Sequence, residues 1–209
     1  MKTYLFDLDG TLLDSIELIL TSFHHTSRVH LGRELSDEYW LAGVGTPLRV
    51  QLSKIATSDA ELDAMLDTYR DFNLEHHDRM AKAYPGAVEL VRQLYRDGAR
   101  LALVTSKLRT GANRGLRLLE LEEELPVRIC ADDVVHGKPH AEPVLKALAA
   151  LDARPEDALF IGDSDHDIHA GHAAGVRTVA VTWGPFAREK LEAARPSHFI
   201  THPSQIHDL

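Results

Sequence analysis

The sequence contains a single cysteine, Cys130, among its 209 residues, which excludes an internal disulfide. It also lacks an apolar stretch of signal-peptide length at its start and any run of about 18 apolar residues, the length needed to cross a bilayer. These absences predict a cytoplasmic protein with no membrane partner. Cys130 ends the apolar run at residues 127–130 and is expected to be a buried strand residue.

Basic residues are fewer than acidic ones, 23 against 32, so the formal net charge is −9. This balance argues against a nucleic-acid partner, because the chain has no basic surface pattern to neutralise phosphates. A small phosphorylated substrate stays compatible with it, since a bound metal ion can reverse the local charge of a site. The apolar content of 44% and the charged content of 26% are ordinary for a globular protein.

Short apolar runs alternate with segments of helical spacing along the chain. Five of these runs are predicted to be buried strands, at residues 3–6, 100–105, 127–130, 158–162 and 177–182. This alternation predicts an α/β fold, a Rossmann-like parallel sheet with helices on both faces. Ligands of such sheets bind at the carboxyl ends of the strands, where Asp7, Thr105 and Asp163 stand.

The interval 15–82 shows helical spacing and no convincing strand. We interpret it as an all-helical cap domain inserted into a core domain that comprises residues 1–14 and 83–209. Within it, Ser15 is expected to cap the first helix and Pro47 to occupy the first helical position of another. Ser58 and Glu61 have the spacing of a capping box.

Residues 7–11 read Asp-Leu-Asp-Gly-Thr and follow the first predicted strand. Alternate side chains of a strand point to one face, so Asp7 and Asp9 should lie close together. Like charges in one place are costly unless a cation lies between them, and oxygen ligands favour Mg²⁺. Gly10 allows a sharp turn and Thr11 adds a hydroxyl. A surface turn with two solvated carboxylates is the alternative for this segment taken alone.

Three later segments add complementary groups. The strand that ends at Thr105 and Ser106 offers a hydroxyl and backbone N–H groups that suit a phosphate oxygen. Lys138 lies between glycine and proline, in a fixed loop, and its ammonium suits phosphate. Asp163 follows another apolar strand and can join Asp7 on a metal ion. Asp167, four residues on, can brace Lys138 or a metal-bound water, or simply favour a helix N-terminus.

In this order, the four segments resemble the haloacid dehalogenase superfamily of phosphohydrolases. The pattern of that superfamily is Asp-x-Asp-x-Thr, a strand-ending Thr or Ser, a Lys, and Gly-Asp with an acidic partner nearby. The helical insertion after the first segment is similar to the family's helical cap of the first class. Residues 12–15 and 43–48 resemble the phosphoglycolate phosphatase branch, and residues 17–23 resemble the related pyrophosphatases.

The resemblance implies a role for each of these residues. Asp7 would be the nucleophile that forms an aspartyl-phosphate, and Asp9 the general acid and base. The ligands of Mg²⁺ would be Asp7, Asp9 through its backbone carbonyl, and Asp163. The phosphate-binding residues would be Gly10, Thr105, Ser106 and Lys138. Thr11 and Asp167 would hold the catalytic and metal-binding residues in position.

The expected function is that of a Mg²⁺-dependent phosphatase of a small phosphorylated metabolite, with 2-phosphoglycolate as the substrate that the resemblance favours. Inorganic pyrophosphatase and a phosphomutase of the β-phosphoglucomutase type are the enzymatic alternatives. A non-catalytic binding module is the least favoured, because Asp7, Asp9, Lys138 and Asp163 are all present. The protein is expected to be a monomer or a homodimer.

Overall fold

The computed structural model describes residues 2–209. Its strands are β1 (Thr3–Phe6), β2 (Leu13–Asp14), β3 (Lys82–Ala83), β4 (Arg100–Val104), β5 (Val127–Ile129), β6 (Ala158–Gly162), β7 (Arg177–Val181) and β8 (His198–Ile200). Its α-helices are α1 (Ile16–Leu31), α2 (Asp37–Leu41), α3 (Leu48–Leu52), α4 (Asp59–Met80), α5 (Ala87–Arg96), α6 (Arg109–Leu119), α7 (Glu142–Ala150), α8 (Asp165–Ala173) and α9 (Arg188–Ala193). Short 3-10 turns cover Ala131–Asp133, Pro155–Asp157 and Pro203–Asp208. Within residues 2–209, none of the helices combines the length and apolar character required to span a bilayer.

Six strands form a parallel sheet in the order β5-β4-β1-β6-β7-β8. The first strand lies at its centre, where Phe6 pairs with Leu103 of β4 and with Ile161 of β6. The carboxyl ends of β1, β4 and β6 therefore meet at the point where the strand order changes direction, which is where such sheets bind ligands. This confirms the predicted α/β fold class.

Both faces of the sheet are covered, as the nearly continuous apolar strands require. Tyr4 and Phe6 point to one face and pack with α5 and α6. Leu5 points to the opposite face, where it packs with Phe160, α7 and α8. The alternation of side chains along a strand thus divides the core of the sheet into two apolar layers.

The five predicted strands are confirmed, although three of them end one residue earlier than expected. Cys130 is buried as expected, but it lies just after β5, not within it. The edge strand β8 was not predicted. It has only three residues and begins with His198, so its sequence carries too short an apolar run to be distinguished from a loop.

Helices α1 to α4 enclose an apolar cluster of their own. At its centre, the ring of Phe23 stacks on Trp40 with centroids 4.3 Å apart and lies 4.7 Å from Tyr69. Strands β2 and β3 pair in antiparallel fashion at the two ends of this insertion. The prediction of no strand was therefore wrong at Lys82, although the separate cluster supports the division into core and cap, which stays a prediction.

The helix starts differ in part from those predicted. Ser15 precedes α1, but its side chain makes no capping hydrogen bond. Pro47 occupies the capping position of α3, one residue before the predicted place. Ser58 does cap α4 by accepting from the backbone N–H of Glu61, whereas the Glu61 carboxylate accepts from Thr57. The hydroxyl of Ser15 donates instead to the carboxylate of Asp9.

Helix α7 offers a matched test of the packing. Leu148 is 3% exposed and packs against the sheet, whereas Leu145 on the same helix is 47% exposed. We expect Leu148→Ala to lower the free energy of unfolding by about 2–5 kcal/mol, because it leaves a cavity in the core. Leu145→Ala should change it by less than about 0.5 kcal/mol. Urea unfolding of both variants measures the difference, and equal losses would contradict this assignment of the buried face.

Candidate active site

Three of the predicted site residues lie directly after neighbouring strands. Asp7 follows β1, Thr105 follows β4 and Asp163 follows β6, and all three side chains are buried. The backbone N–H of Asp7 donates to the carbonyl of Ile161 at 2.9 Å, so the sheet ladder continues through the first of these residues. The hydrogen bonds of the sheet therefore position the backbone of Asp7 independently of its side-chain contacts.

Lys138 connects two carboxylates at the centre of the site. Its side chain is 1% exposed, and its Nζ lies 2.8 Å from Oδ1 of Asp7 and 2.6 Å from Oδ1 of Asp167. The same ammonium is 3.4 Å from the carbonyl oxygen of Val104 at the end of β4. The lysine predicted to bind phosphate is thus part of a buried ion-pair network that includes the predicted nucleophile.

Asp7, Asp163 and Asp167 form a group of buried carboxylates in which one oxygen from each lies within 4.8 Å of the others. Asp163 accepts a hydrogen bond of 3.1 Å from the hydroxyl of Thr11. Among residues 2–209, Lys138 is the only cationic side chain that bonds to any of the three. Three carboxylates with one ammonium leave an excess of buried negative charge, and an all-oxygen donor set of this kind fits a divalent cation.

The pKa values of these groups reflect the excess of negative charge. Burial raises the pKa of Asp7 to about 7, although the Lys138 ammonium acts in the opposite direction. Burial, with the charges of Asp167 and Asp7, raises the pKa of Asp163 well above its usual range. Burial alone would lower the pKa of Lys138, but the charges of Asp167 and Asp7 outweigh it and raise that pKa. Additional positive charge is therefore needed to keep both Asp7 and Asp163 ionised.

Asp167 is fixed by the start of α8. Its Oδ2 accepts from the hydroxyl of Ser164 at 2.6 Å and from the Ser164 backbone N–H at 3.1 Å. In return, the Ser164 hydroxyl caps the backbone N–H of Asp167 at 3.3 Å. This capping box leaves Oδ1 of Asp167 for Lys138, so the carboxylate contacts the lysine and also stands at a helix N-terminus, two of the three roles considered from the sequence.

Gly10 is required both for its backbone conformation and for the space beside Asp163. Its φ is +85°, a left-handed value that favours glycine, and a Cβ at this position would lie 2.3 Å from Oδ2 of Asp163. Gly184, after β7, borders the same carboxylate from the other side, since its Cβ would lie 2.5 Å from the Asp163 Cβ. Asp163 thus occupies a space that only glycines leave open.

The carboxylate of Asp9 is held by two residues that were not predicted from the sequence to belong to the site. The Nζ of Lys107 donates to Oδ1 and Oδ2 of Asp9 at 2.7 and 2.9 Å. The hydroxyl of Ser15 donates to the same Oδ1 at 2.5 Å. The position of Ser15 before a helix predicts a cap instead of a site residue. Lys107 stands two residues after Thr105, and its closeness to a strand end is a signal that could have placed it in the site.

The predicted phosphate-binding residues Thr105 and Ser106 face different partners. The Thr105 hydroxyl is buried and accepts from the backbone N–H of Lys107 at 3.1 Å. The Ser106 hydroxyl instead donates to the carbonyl of Gly45, between α2 and α3, at 2.7 Å. Thr105 thus remains at the end of β4, the strand paired with β1, whereas Ser106 joins the predicted cap to the core.

The space beside Asp163 can be tested with a pair of glycine variants. Gly10→Ala and Gly98→Ala both place alanine at positive φ, but nothing lies within 4 Å of the Cβ that would be added at Gly98. Each should lose about 1–2 kcal/mol of stability from backbone strain. Only Gly10→Ala should also weaken the Mg²⁺ binding that is predicted from the sequence, by at least about tenfold, because it displaces a predicted ligand. Titration calorimetry measures both affinities, and unchanged binding in Gly10→Ala would exclude Asp163 from the metal site.

Comparison with known proteins places this geometry in a family. The family model for haloacid dehalogenase-like hydrolases matches residues 4–181. The pyrophosphatase PpaX of Bacillus cereus is 41% identical over 206 residues, which cover 99% of this chain and 94% of that protein. Among solved structures, a provisionally assigned haloacid dehalogenase-like hydrolase from Bacteroides fragilis is 28% identical, with a TM-score of 0.90 over 98% of this chain and 99% of that one.

A second solved structure, from Lactobacillus plantarum, is described provisionally as a phosphoglycolate phosphatase. It is 28% identical, with a TM-score of 0.88, and the match covers 100% of this chain and 99% of that one. The family match spans most of the sequence and includes the strand ends that carry Asp7, Thr105 and Asp163. The chain belongs to the haloacid dehalogenase-like hydrolases.

Proposed function

We propose that this hydrolase is a Mg²⁺-dependent phosphatase that transfers a phosphoryl group from a small substrate to Asp7 and then to water. The observation that carries the proposal is the buried ammonium of Lys138, bonded at once to Asp7 and Asp167 beside the carboxylate of Asp163. A reactive carboxylate can approach a phosphate anion only where its charge is balanced, and this cluster supplies one cation and the ligands for another.

The first step uses Asp7 as the nucleophile. One of its carboxylate oxygens attacks phosphorus, the bond to the leaving oxygen breaks, and the electron pair stays with that oxygen. Lys138 screens the charge of Asp7 and, with the buried hydroxyl of Thr105 and backbone N–H groups near Gly10, holds the oxygens of the phosphoryl group. The product on the enzyme is an aspartyl-phosphate.

Asp9 is proposed to transfer the proton in both steps. It gives its proton to the leaving oxygen, then accepts one from the water that attacks phosphorus and breaks the bond to Asp7. General acid–base help of this kind contributes about 10²–10⁴-fold. Lys107 and Ser15 hold the Asp9 carboxylate at a fixed position beside the cluster, so the acid is oriented before the substrate binds.

Mg²⁺ would be held by Asp7, Asp163 and the backbone carbonyl of Asp9. When bound, it supplies Lewis-acid stabilisation of the transferred phosphoryl group and neutralises the excess negative charge of the carboxylates. The protein's own residues prepare this position, because Thr11 orients Asp163 and Gly10 leaves it room.

The substrate is proposed to be inorganic pyrophosphate, with 2-phosphoglycolate as the second candidate. Identity of 41% to a protein named pyrophosphatase, over nearly the whole of both chains, favours the first. The resemblance of residues 12–15 and 43–48 to phosphoglycolate phosphatases, and the Lactobacillus plantarum structure, favour the second. Both substrates join a phosphoryl group to a leaving group that is itself an anion.

Substitution of the two carboxylates of the first segment tests the mechanism. Asp7→Asn should abolish turnover while the fold stays intact, because it removes the nucleophile. Asp9→Asn should lower kcat by about 10²–10⁴-fold, because it removes the proton donor. Asp71→Asn, at an exposed position on α4, is the matched control and should keep the full rate. Near-normal rates in purified Asp7→Asn would refute its role as the nucleophile.

Phosphate release from pyrophosphate, 2-phosphoglycolate and hexose phosphates, compared in one assay, tests the substrate and the metal together. We expect EDTA to abolish hydrolysis and added Mg²⁺ to restore it, since the carboxylates need a further cation. Conversion of a hexose phosphate to its isomer without phosphate release would identify a phosphomutase instead. No Mg²⁺-dependent hydrolysis of any of these substrates would support a binding module.

A further inference from the structure

Lys107 is a second lysine at the site, and its surroundings differ from those of Lys138. Its side chain is 15% exposed and that of Asp9, its partner, is 17% exposed, whereas Lys138 is almost fully enclosed. Two of the three ammonium protons of Lys107 are directed at the oxygens of Asp9. The third N–H of Lys107 remains available, and the side chain is partly exposed. Lys107 can therefore bind a group that enters from solvent.

The proposed chemistry fixes what enters there. The nucleophile Asp7 attacks phosphorus from one side, so the leaving oxygen departs on the opposite side, roughly in line. The acid Asp9 must lie within hydrogen-bond reach of that oxygen to protonate it. Because Lys107 lies 2.7 Å from the carboxylate of Asp9, the atoms attached to the leaving oxygen pass close to its ammonium.

Helix α4 is joined to this region, because the side chain of Lys107 passes close to Gly111 of α6 and Arg114 of α6 donates to Asp78 of α4. Tyr69, Asn73 and His77 are spaced by four residues along this helix, so they share one face, and all three are buried. Burial raises the pKa of the Tyr69 hydroxyl, and the charge of Asp9 adds to this effect. Burial lowers the pKa of His77, and the charge of Lys107 acts in the same direction. Asn73, between them, already has a partner, because its Nδ2 donates to the hydroxyl of Ser22 on α1 at 3.2 Å.

His77 also carries an unused polar atom. Its ring is fully buried, and its Nδ1 lies 2.8 Å from Oδ1 of Asp78, which Arg114 holds from the surface. Its Nε2 has no hydrogen-bond partner among residues 2–209. A buried polar atom without a partner is costly, so this nitrogen marks a place that a polar ligand or a water completes.

We propose that Lys107, with His77 of α4, is a subsite for the leaving group that selects substrates whose leaving group is an anion, a second phosphate or a carboxylate. The inference rests on the proposed function, because it takes Asp7 as the nucleophile and Asp9 as the acid. It adds a substrate class and a specificity-determining residue to that proposal.

Two substrates that differ in one group test the proposal: 2-phosphoglycolate and 2-hydroxyethyl phosphate, in which a CH₂OH replaces the carboxylate. We expect the wild-type enzyme to prefer 2-phosphoglycolate in kcat/KM. Lys107→Met should reduce this preference by about 10- to 100-fold, the range expected for a hydrogen bond to a charged group. Lys107→Arg should retain much of it. Lys146→Met, on the surface of α7, is the matched control and should leave both rates unchanged.

The ratio of the two substrates separates selection from a merely structural role. If Lys107 acts only by positioning Asp9, Lys107→Met slows both substrates equally and leaves the preference as it was, and the proposal is overturned. A wild-type enzyme that hydrolyses both substrates without preference also overturns it, while leaving the phosphatase assignment in place. A wild-type enzyme that hydrolyses neither these nor pyrophosphate with Mg²⁺ overturns both.

Discussion

The buried ammonium of Lys138 is the interaction on which the rest of the site depends. An isolated charge in the interior of a protein is strongly unfavourable, and Lys138 is tolerated because Asp7 and Asp167 lie within 2.8 Å of it. The converse holds for Asp7, since the Lys138 ammonium opposes the rise that burial causes in the pKa of that carboxyl. Removing either partner would leave an uncompensated charge, so the proposed nucleophile and the lysine are stable only as a pair.

The sheet explains why these charges meet at all. Asp7 and Asp163 are far apart in sequence, and the strand order places the ends of β1 and β6 side by side, while Lys138 reaches the end of β4 at the Val104 carbonyl. Glycine then makes the close approach possible. A side chain at Gly10 or Gly162 would overlap a carboxylate of the cluster. The site therefore combines a rigid parallel sheet, which sets the backbone, with glycines that leave the carboxylates the space they occupy.

The α/β fold and the buried centre of the site could be predicted because their signals are local. Apolar runs mark the strands, and the residues that follow them must lie at one edge of the sheet, which places Asp7 and Asp163 together. The pairing of Asp9 with Lys107 and Ser15 could not be predicted in this way. It depends on which of several polar side chains near a strand end turns toward Asp9, and a hydroxyl such as that of Ser15 serves equally well as a helix cap.

The part of the site around Lys138 and the part around Lys107 therefore carry different information about function. The inner carboxylates with Lys138 surround the position where a phosphoryl group would be transferred, and that group is common to every candidate substrate. Pyrophosphate, 2-phosphoglycolate and a sugar phosphate differ only in what leaves. The groups proposed to contact the leaving part, Lys107 and His77, are therefore the ones expected to discriminate between these substrates. The ammonium of Lys107 is partly exposed and pairs with one carboxylate, that of Asp9, so an anionic leaving group should be favoured beside it over a neutral sugar. This charge supports pyrophosphate and 2-phosphoglycolate over a hexose phosphate.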